Sequence, residues 1–156
     1  MKPKENALVS VIREIRTSFN QLKTLADRLH EDLGVNPSMR AVMESLAAGG
    51  PQTVPGIARE KGVSRQHVQT IMNSLQAAGL VVSADNPAHK RSPHFDLTPA
   101  GREIFAVIEG REAEPLRRIA SSMTTKTLVH ASEALHLLNR RIAAEIAGGE
   151  SRERSR

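Results

Sequence analysis

Five polar side chains able to form paired hydrogen bonds are concentrated between residues 65 and 73. They are Arg65, Gln66, Gln69, Thr70 and Asn73. Apolar residues interleave with them at steps of three and four, which predicts a helix with one buried face. These apolar residues are Val68, Ile71, Met72 and Leu75. The polar set occupies the opposite face, which is either an ordinary solvated surface or one that recognises hydrogen-bonding groups on a partner.

The chemistry of these groups suits the base edges of double-stranded DNA. The Arg65 guanidinium can donate paired hydrogen bonds to guanine, and the three Gln and Asn amides have the geometry suited to adenine. Thr70 can supply either a methyl or a hydroxyl contact. We predict DNA contacts for these five residues and for Ser64, the expected N-cap of the helix.

The distribution of charge favours an anionic partner more strongly than the net charge does. Twenty-two Lys and Arg against 17 Asp and Glu give the 156-residue chain a formal charge of +5. From Lys61 to Ala84 there is no Asp or Glu. Nothing in that segment therefore repels phosphate, and the segment fits contact with a polyanion.

The residues around this helix fit a helix-turn-helix. Ala58 is small where the second helix must cross the first closely, and Gly62 can adopt the left-handed conformation that the turn needs. Val68 and Ile71 follow at the spacing that anchors the second helix on the first. A plain helical hairpin is the alternative, because any two packed helices can share an Ala and a Gly.

Two short runs after the helix change to the pattern of strands. Residues 80–84 and 94–97 are separated by a polar loop with two prolines, which predicts a two-stranded hairpin. The loop carries three basic residues in a row, His89, Lys90 and Arg91. A helix-turn-helix followed by such a hairpin is the winged arrangement, in which the wing touches the DNA backbone or the minor groove. We therefore predict that these three residues contact DNA.

Apolar seams with heptad-like spacing mark both ends of the chain. The first consists of Leu8, Ile12, Ile15, Phe19, Leu22, Ala26, Leu29 and Leu33. The second begins after Thr124 and consists of Leu128, Ala131, Leu135, Leu138 and Ile142. Seams of this length are hard to bury within so small a chain, which favours a homodimer formed through the terminal helices.

Helix signals fill the remaining segments. Asn36 before Pro37 predicts a helix that ends near the Gly49-Gly50 pair, and Thr53 starts a shorter one that ends near Lys61. Thr98 caps a further helix, in which Pro115 predicts a kink or break. The residues after Ala147 lack apolar side chains and are expected to fray.

Several classes of function have no support in the sequence. The absence of Cys excludes thiolate catalysis and cysteine-based zinc sites. No catalytic constellation or cofactor motif stands out, so we predict no enzyme activity, no metal and no cofactor. Met39, Met43 and Met72 fit core positions, although methionines near a dimer cleft can also line a ligand pocket. The N-terminus has neither a signal-peptide core nor a membrane span, which predicts a cytoplasmic protein.

The stretches "GVSRQHVQTIMNSLQAAGLVV" and "DNPAHKRSPHFDLTPAGRE" resemble the winged helix-turn-helix core of the MarR (multiple antibiotic resistance regulator) family. The resemblance covers about residues 8–147, with "LQAAGLV", Arg91 and "LTPAG" as its sharpest elements. The family wing usually has an acidic residue and an arginine where His89 and Lys90 stand here. Support for Arg91 must therefore come from elsewhere, with His89 or Asp85 as candidates.

The resemblance implies a bacterial, dimeric transcription regulator, usually a repressor, that binds a pseudo-palindromic operator and is often released by a small molecule. We predict a mainly α fold with a small β-hairpin. The expected parts are an N-terminal dimerisation helix (5–34), a winged helix-turn-helix (35–98), C-terminal dimerisation helices (99–147) and a flexible tail (148–156). The alternative functions are an architectural or nonspecific DNA-binding protein, and a protein-interaction module whose DNA-binding face has decayed.

Overall fold

The computed structural model describes residues 2–88 and 91–153, with side chains described as far as residue 148. The chain divides into two units, residues 1–112 and residues 113–156. Its helices are α1 (Pro3–His30), α2 (Pro37–Gly49), α3 (Val54–Lys61), α4 (Arg65–Ala77), α5 (Pro99–Ser121) and α6 (Thr125–Glu153). The strands are β1 (Gln52–Thr53), β2 (Val81–Ala84) and β3 (His94–Leu97). The predicted mainly α, winged helix-turn-helix fold is confirmed.

The predicted caps fix the helix starts in the first unit. Asn36 accepts a hydrogen bond from the Met39 backbone N–H at 2.9 Å, and Ser64 accepts one from the His67 N–H at 3.1 Å. Each cap satisfies a backbone donor that the helix itself leaves unpaired. The α1 helix ends at His30 in a 3-10 turn over Glu31–Leu33, so the end of the N-terminal helical region agrees with the sequence.

The core of the first unit forms where α2, α3, α4 and the sheet meet. Its fully buried side chains are Val68, Met43, Leu46, Ile57, Met72, Leu75 and Ile108. Met39 is also nearly buried, so the three methionines singled out from the sequence fill the core. The apolar face of α4 is thus committed to packing, which leaves its polar face as the exposed one.

The sheet has three strands rather than the predicted two. Its order is β1-β3-β2, with both pairs antiparallel. The added strand pairs Gln52 with Phe95 and Thr53 with His94. A two-residue strand has too few positions to show the alternation that identifies strands in a sequence, so only tertiary pairing defines it.

The break considered at Pro115 and the end of the last helix at Ala147 are both corrected. The α5 helix runs without a break through Pro115, where Glu114 pairs with both Arg117 and Arg118 across the proline position. The α6 helix continues to Glu153 rather than ending at Ala147, so the segment expected to be a flexible tail is partly helical. Glu and Arg, which are frequent in this segment, are good helix formers by intrinsic propensity.

The junction between the wing and α5 is closely packed. Thr98 donates its hydroxyl to the Gly79 carbonyl at 2.7 Å and accepts the Gly101 N–H at 3.0 Å, which confirms it as the N-cap. A Cβ atom on Gly101 would lie 2.0 Å from the Leu80 carbonyl oxygen. Only glycine therefore fits at this position of the "LTPAG" segment without a backbone shift.

Candidate nucleic-acid interface

The α4 helix presents its polar side chains on the surface. Ser64, Arg65, Gln66, Thr70 and Asn73 are exposed, and Gln69 is half-buried. On the opposite side of the helix Val68 and Leu75 are buried against the core. The structure thus places all six predicted contact residues of this region along one accessible helix and its first turn.

The turn before α4 fixes its orientation on α3. Gly62 has a φ of 66°, in the left-handed region, and its backbone N–H caps α3 on the Ala58 carbonyl. The Val63 N–H donates to the same carbonyl at 3.1 Å, and the Ala58 side chain is buried. The predicted helix-turn-helix contacts are therefore present, with Gly at the one position whose backbone requires it.

Hydrogen bonds within α4 restrict what its polar groups can offer. The Gln69 amide donates to the Asn73 side-chain oxygen at 2.9 Å, which ties the two amides into one unit. The Thr70 hydroxyl lies 3.0 Å from the Gln66 carbonyl and donates to it. Because that proton is already used, Thr70 can offer a partner its γ-methyl and an acceptor oxygen, but no donor. Arg65 makes no ion pair with any of the described residues.

Acidic groups near this region are paired with bases or hydroxyls. Asp96, on β3, accepts a hydrogen bond from Arg102 at 2.8 Å. Glu60, at the end of α3, accepts from the Ser45 hydroxyl at 2.9 Å and pairs with Lys61, and the Ser45 bond is the main cause of its lowered pKa. Asp96 and Glu60 therefore bring little unpaired negative charge to the acid-free segment, whereas Asp85, directly after it, is exposed.

The wing loop between β2 and β3 holds its shape through a buried amide. Asn86 is only 6% exposed; its NH₂ donates to the Ser92 carbonyl at 2.9 Å and its oxygen accepts from the Ala88 N–H at 3.2 Å. Arg91 is exposed. The other two predicted wing contacts, His89 and Lys90, lie outside the described residues. Among the described residues, no hydrogen bond joins Asp85 to Arg91, so Asp85 does not supply the support considered for it.

An ionic cluster of one buried and two partly buried side chains joins α1, α2 and α5, and no pattern in the sequence predicts it. Arg40 donates two hydrogen bonds to Glu112, one from Nε at 2.6 Å, and His30 Nε2 lies 3.0 Å from the same carboxylate. Burial raises the pKa of Glu112, but the bonds from Arg40 and His30 outweigh it and leave that pKa below its usual value. The three residues are far apart in the sequence and follow no motif, so no local signal predicts their contact.

Asn86 is also missing from the predicted contact residues, although the sequence around it contains a local signal for a turn. Asn followed by Pro favours a turn, and an Asn side chain commonly bonds the backbone two residues later, as it does here with Ala88.

Among the described residues no helix is long and apolar enough to cross a membrane. Within the same residues, no group of three His, Cys, Asp or Glu side chains is placed to hold a metal ion.

Comparison with known proteins finds a family model and relatives whose sequences are similar to this chain. A family model described as the MarR family matches residues 33–92. The uncharacterized protein Rv2011c of Mycobacterium tuberculosis is 34% identical over 101 residues, which are 65% of this chain and 71% of that protein. The HTH-type transcriptional regulator YkoM of Bacillus subtilis, itself uncharacterized, is 26% identical over 74% of this chain and 75% of that protein.

Solved structures share the fold over most of the chain. The crystal structure of the MarR family transcription regulator SP03579 has a TM-score of 0.74 at 26% identity, covering 92% of this chain and 95% of that chain. A mutant of E. coli MarR complexed with operator DNA has a TM-score of 0.75 at 17% identity, covering 85% of this chain and 96% of that chain. The second likeness concerns the fold alone.

Proposed function

The chain belongs to the MarR family of transcription regulators, and on that premise we propose that it is a sequence-specific repressor that binds a pseudo-palindromic operator as a homodimer. In this proposal α4 of each subunit enters the major groove, and Arg91 with its neighbours His89 and Lys90 contacts the backbone or the flanking minor groove. The two α4 helices then read half-sites about one helical turn apart.

The observation that carries the proposal is the exposed polar face of α4. The helix that carries these groups is fixed by the buried apolar face on its other side and by its capped first turn. Its backbone therefore loses little conformational freedom when the groups contact a partner. The same face carries an arginine and amides, which are the side chains that read base edges, and the segment around it has no acid. These features support sequence reading rather than attachment to the backbone alone.

The apolar seams of the terminal helices support the homodimer. On α1, Leu8 is 44%, Phe19 65% and Leu22 57% exposed. On α6, Leu135 and Ile142 are 41% and 45% exposed. Regularly spaced apolar side chains of this size are the kind of surface that a second copy of the chain covers in a symmetric dimer.

A cavity in the first unit supports release by a small molecule. It has a volume of about 420 Å³, is open to solvent, and is lined by the end of α1 and the turn that leads to α2. His30 lines it, and the Nδ1 atom of this buried ring has no hydrogen-bond partner. A ligand that donates a hydrogen bond there, and that binds one separation of the two DNA-reading units better than another, would shift the dimer away from the separation that fits DNA.

The proposal is tested by sequencing the genomic fragments that the purified protein retains, followed by competition. We expect enrichment of one pseudo-palindromic sequence, and we expect that excess random DNA fails to displace the protein from it at physiological salt. Equal displacement from every sequence would instead identify an architectural or nonspecific DNA-binding protein. Repeating the retention with a metabolite panel tests release by a ligand.

Two arginine variants test the residues. Arg65→Ala is expected to weaken binding to the enriched sequence about tenfold or more and to relax the preference at one base pair. Arg91→Ala is expected to weaken binding to all sequences. Arg13→Ala, which removes the same charge from an exposed position on α1 away from the apolar seam, is the matched control. Unchanged binding by both Arg65→Ala and Arg91→Ala would point to a protein-interaction module.

A further inference from the structure

The wing loop contains one polar side chain that is buried although the loop itself is on the surface. Asn86 is 6% exposed, and it is the only buried residue among those described between β2 and β3. Its amide spans the loop, because it donates to the Ser92 carbonyl at 2.9 Å and accepts from the Ala88 N–H at 3.2 Å. Both ends of the loop are thereby tied to one side chain.

An amide of this length is the group that can make both bonds. An Asp at the same position would keep the acceptor oxygen for Ala88 but would lose the donor to the Ser92 carbonyl. An Ala would satisfy neither bond, so the loop would lose the side chain that ties the Ala88 N–H to the Ser92 carbonyl. The chemistry of Asn86 is therefore matched to closing this loop.

The closure acts on Arg91. This residue directly precedes Ser92, whose carbonyl is fixed by Asn86, and its own side chain is exposed. No described residue forms an ion pair with the Arg91 guanidinium. The arginine is consequently held through its backbone rather than by a charged neighbour.

We propose that Asn86 is a positioning residue for DNA binding, which presents the Arg91 guanidinium to the nucleic acid by clamping the loop that carries it. The proposal rests on the function proposed above. Fixing the Ser92 carbonyl, which is next to Arg91 in the chain, before contact reduces the backbone entropy that this position would otherwise lose on binding phosphate.

A double-mutant cycle tests whether Asn86 acts through Arg91. Asn86→Ala is expected to weaken binding to the enriched genomic sequence about fivefold to tenfold, as a lost phosphate contact would. In the Arg91→Ala background the same change is expected to have almost no further effect, because residues that act as one unit are not additive. Asn86→Asp is expected to match Asn86→Ala, since it also lacks the donor. Ser83→Ala, at an exposed position on β2, is the matched control.

The salt dependence of binding supplies a readout that a merely structural role would not move. Asn86→Ala and Arg91→Ala are each expected to lower the slope of log K against log salt concentration by about 1, whereas Ser83→Ala leaves it unchanged. Additive losses in the cycle, an unchanged slope, or an Arg91→Ala variant that binds like the parent would overturn the assignment. Failure of the proposed function is seen separately, as an absence of sequence preference in the unaltered protein.

Discussion

At the scale of single residues, internal hydrogen bonds narrow what the α4 side chains can recognise. From the sequence, Thr70 offers a methyl or a hydroxyl, and nothing local chooses between them. In the folded chain the hydroxyl donates to the Gln66 carbonyl, while the side chain as a whole stays exposed. The hydroxyl is then no longer a donor, and we expect the contact to come from the methyl, whose natural partner in the major groove is the 5-methyl of thymine.

This assignment predicts different outcomes for two variants of Thr70. Thr70→Val keeps the methyl and is expected to retain most of the affinity for the enriched sequence. Thr70→Ser keeps the hydroxyl and is expected to weaken binding about fivefold, because one buried methyl contributes about 0.8 kcal/mol. Replacing the contacted thymine by deoxyuracil should reproduce the loss in the parent and have little effect on Thr70→Ser. Parental affinity of Thr70→Ser on thymine-containing DNA would show that the methyl makes no contact.

At the scale of elements, the junction of the wing with α5 depends on one glycine. Gly101 lies in the first turn of α5, where the Leu80 carbonyl approaches to a distance that leaves no room for a side chain. Thr98 bonds the backbone of Gly79 at the same point. The segment after α4 and the start of α5 are thus held together by contacts to the backbone. These contacts also position β2 and β3, which lie between the two helices in the chain.

Gly101→Ala is therefore expected to lower the free energy of unfolding by about 3 kcal/mol, since a backbone atom must move to admit the methyl. Gly110 provides the matched control, because it lies in the same helix and a Cβ there meets nothing within 4 Å. Gly110→Ala is expected to raise the free energy of unfolding by up to about 1 kcal/mol through helix propensity. Urea denaturation measures both. Equal and small effects at the two positions would refute the close contact.

The ionic cluster connects three helices and makes their packing sensitive to acid. Glu112 is ionised at neutral pH, with a pKa below its ordinary value of 4.5. Stability that comes from a lowered carboxyl pKa is fully present above the ordinary pKa and is lost as the pH falls through the lower, folded-state value. The contribution of Glu112 is therefore constant near neutrality and declines only in acid.

Glu112→Gln is expected to lower the free energy of unfolding at pH 7 by about 2 kcal/mol, because His30 loses its carboxylate partner and Arg40 keeps only the more exposed Glu44 at 3.3 Å. The difference between parent and variant should shrink as the pH is lowered below 4.5. Glu114→Gln is the control, since Glu114 pairs only with exposed arginines and should change stability by about 0.5 kcal/mol or less. Thermal or urea unfolding across pH 3 to 7 measures both; a difference that grows in acid would contradict this sign.

At the scale of the whole molecule, the exposed apolar seams support the homodimer that we propose. Phe19, the most exposed large apolar side chain of α1, is expected to be covered by that copy. Phe19→Glu should raise the dimer dissociation constant about 100-fold or more, because a buried aromatic side chain is lost from both subunits and a charge is added to each. Sedimentation equilibrium measures the constant.

Ser10→Glu adds the same charge to an exposed position on the other side of α1 and is the control for this prediction. We also expect Phe19→Glu to lose affinity for the full pseudo-palindrome while keeping weak binding to one half-site, since a monomer presents one α4 helix. An unchanged dissociation constant would exclude the α1 seam from the interface.

Local patterns were sufficient to predict most of the helices and strands and the exposed polar face of α4. Apolar periodicity, caps such as Asn36, Ser64 and Thr98, and the glycine in the turn after α3 act over one to four residues, so they are visible in the sequence and agree with the folded chain. The acid-free segment is likewise a property of the sequence alone. The family resemblance depends on equally local features, the segments "LQAAGLV" and "LTPAG" and the wing residue Arg91.

Contacts between distant residues were decided only by the tertiary structure. The pairing of β1 with β3, the approach of Leu80 to Gly101 and the cluster at Glu112 all join groups that are distant in the sequence and meet only in the folded first unit. The same holds for Asn86, whose burial and Ser92 partner depend on the closed shape of the wing. Short-range patterns record the preferences of the backbone, whereas these contacts depend on the packing of the whole first unit.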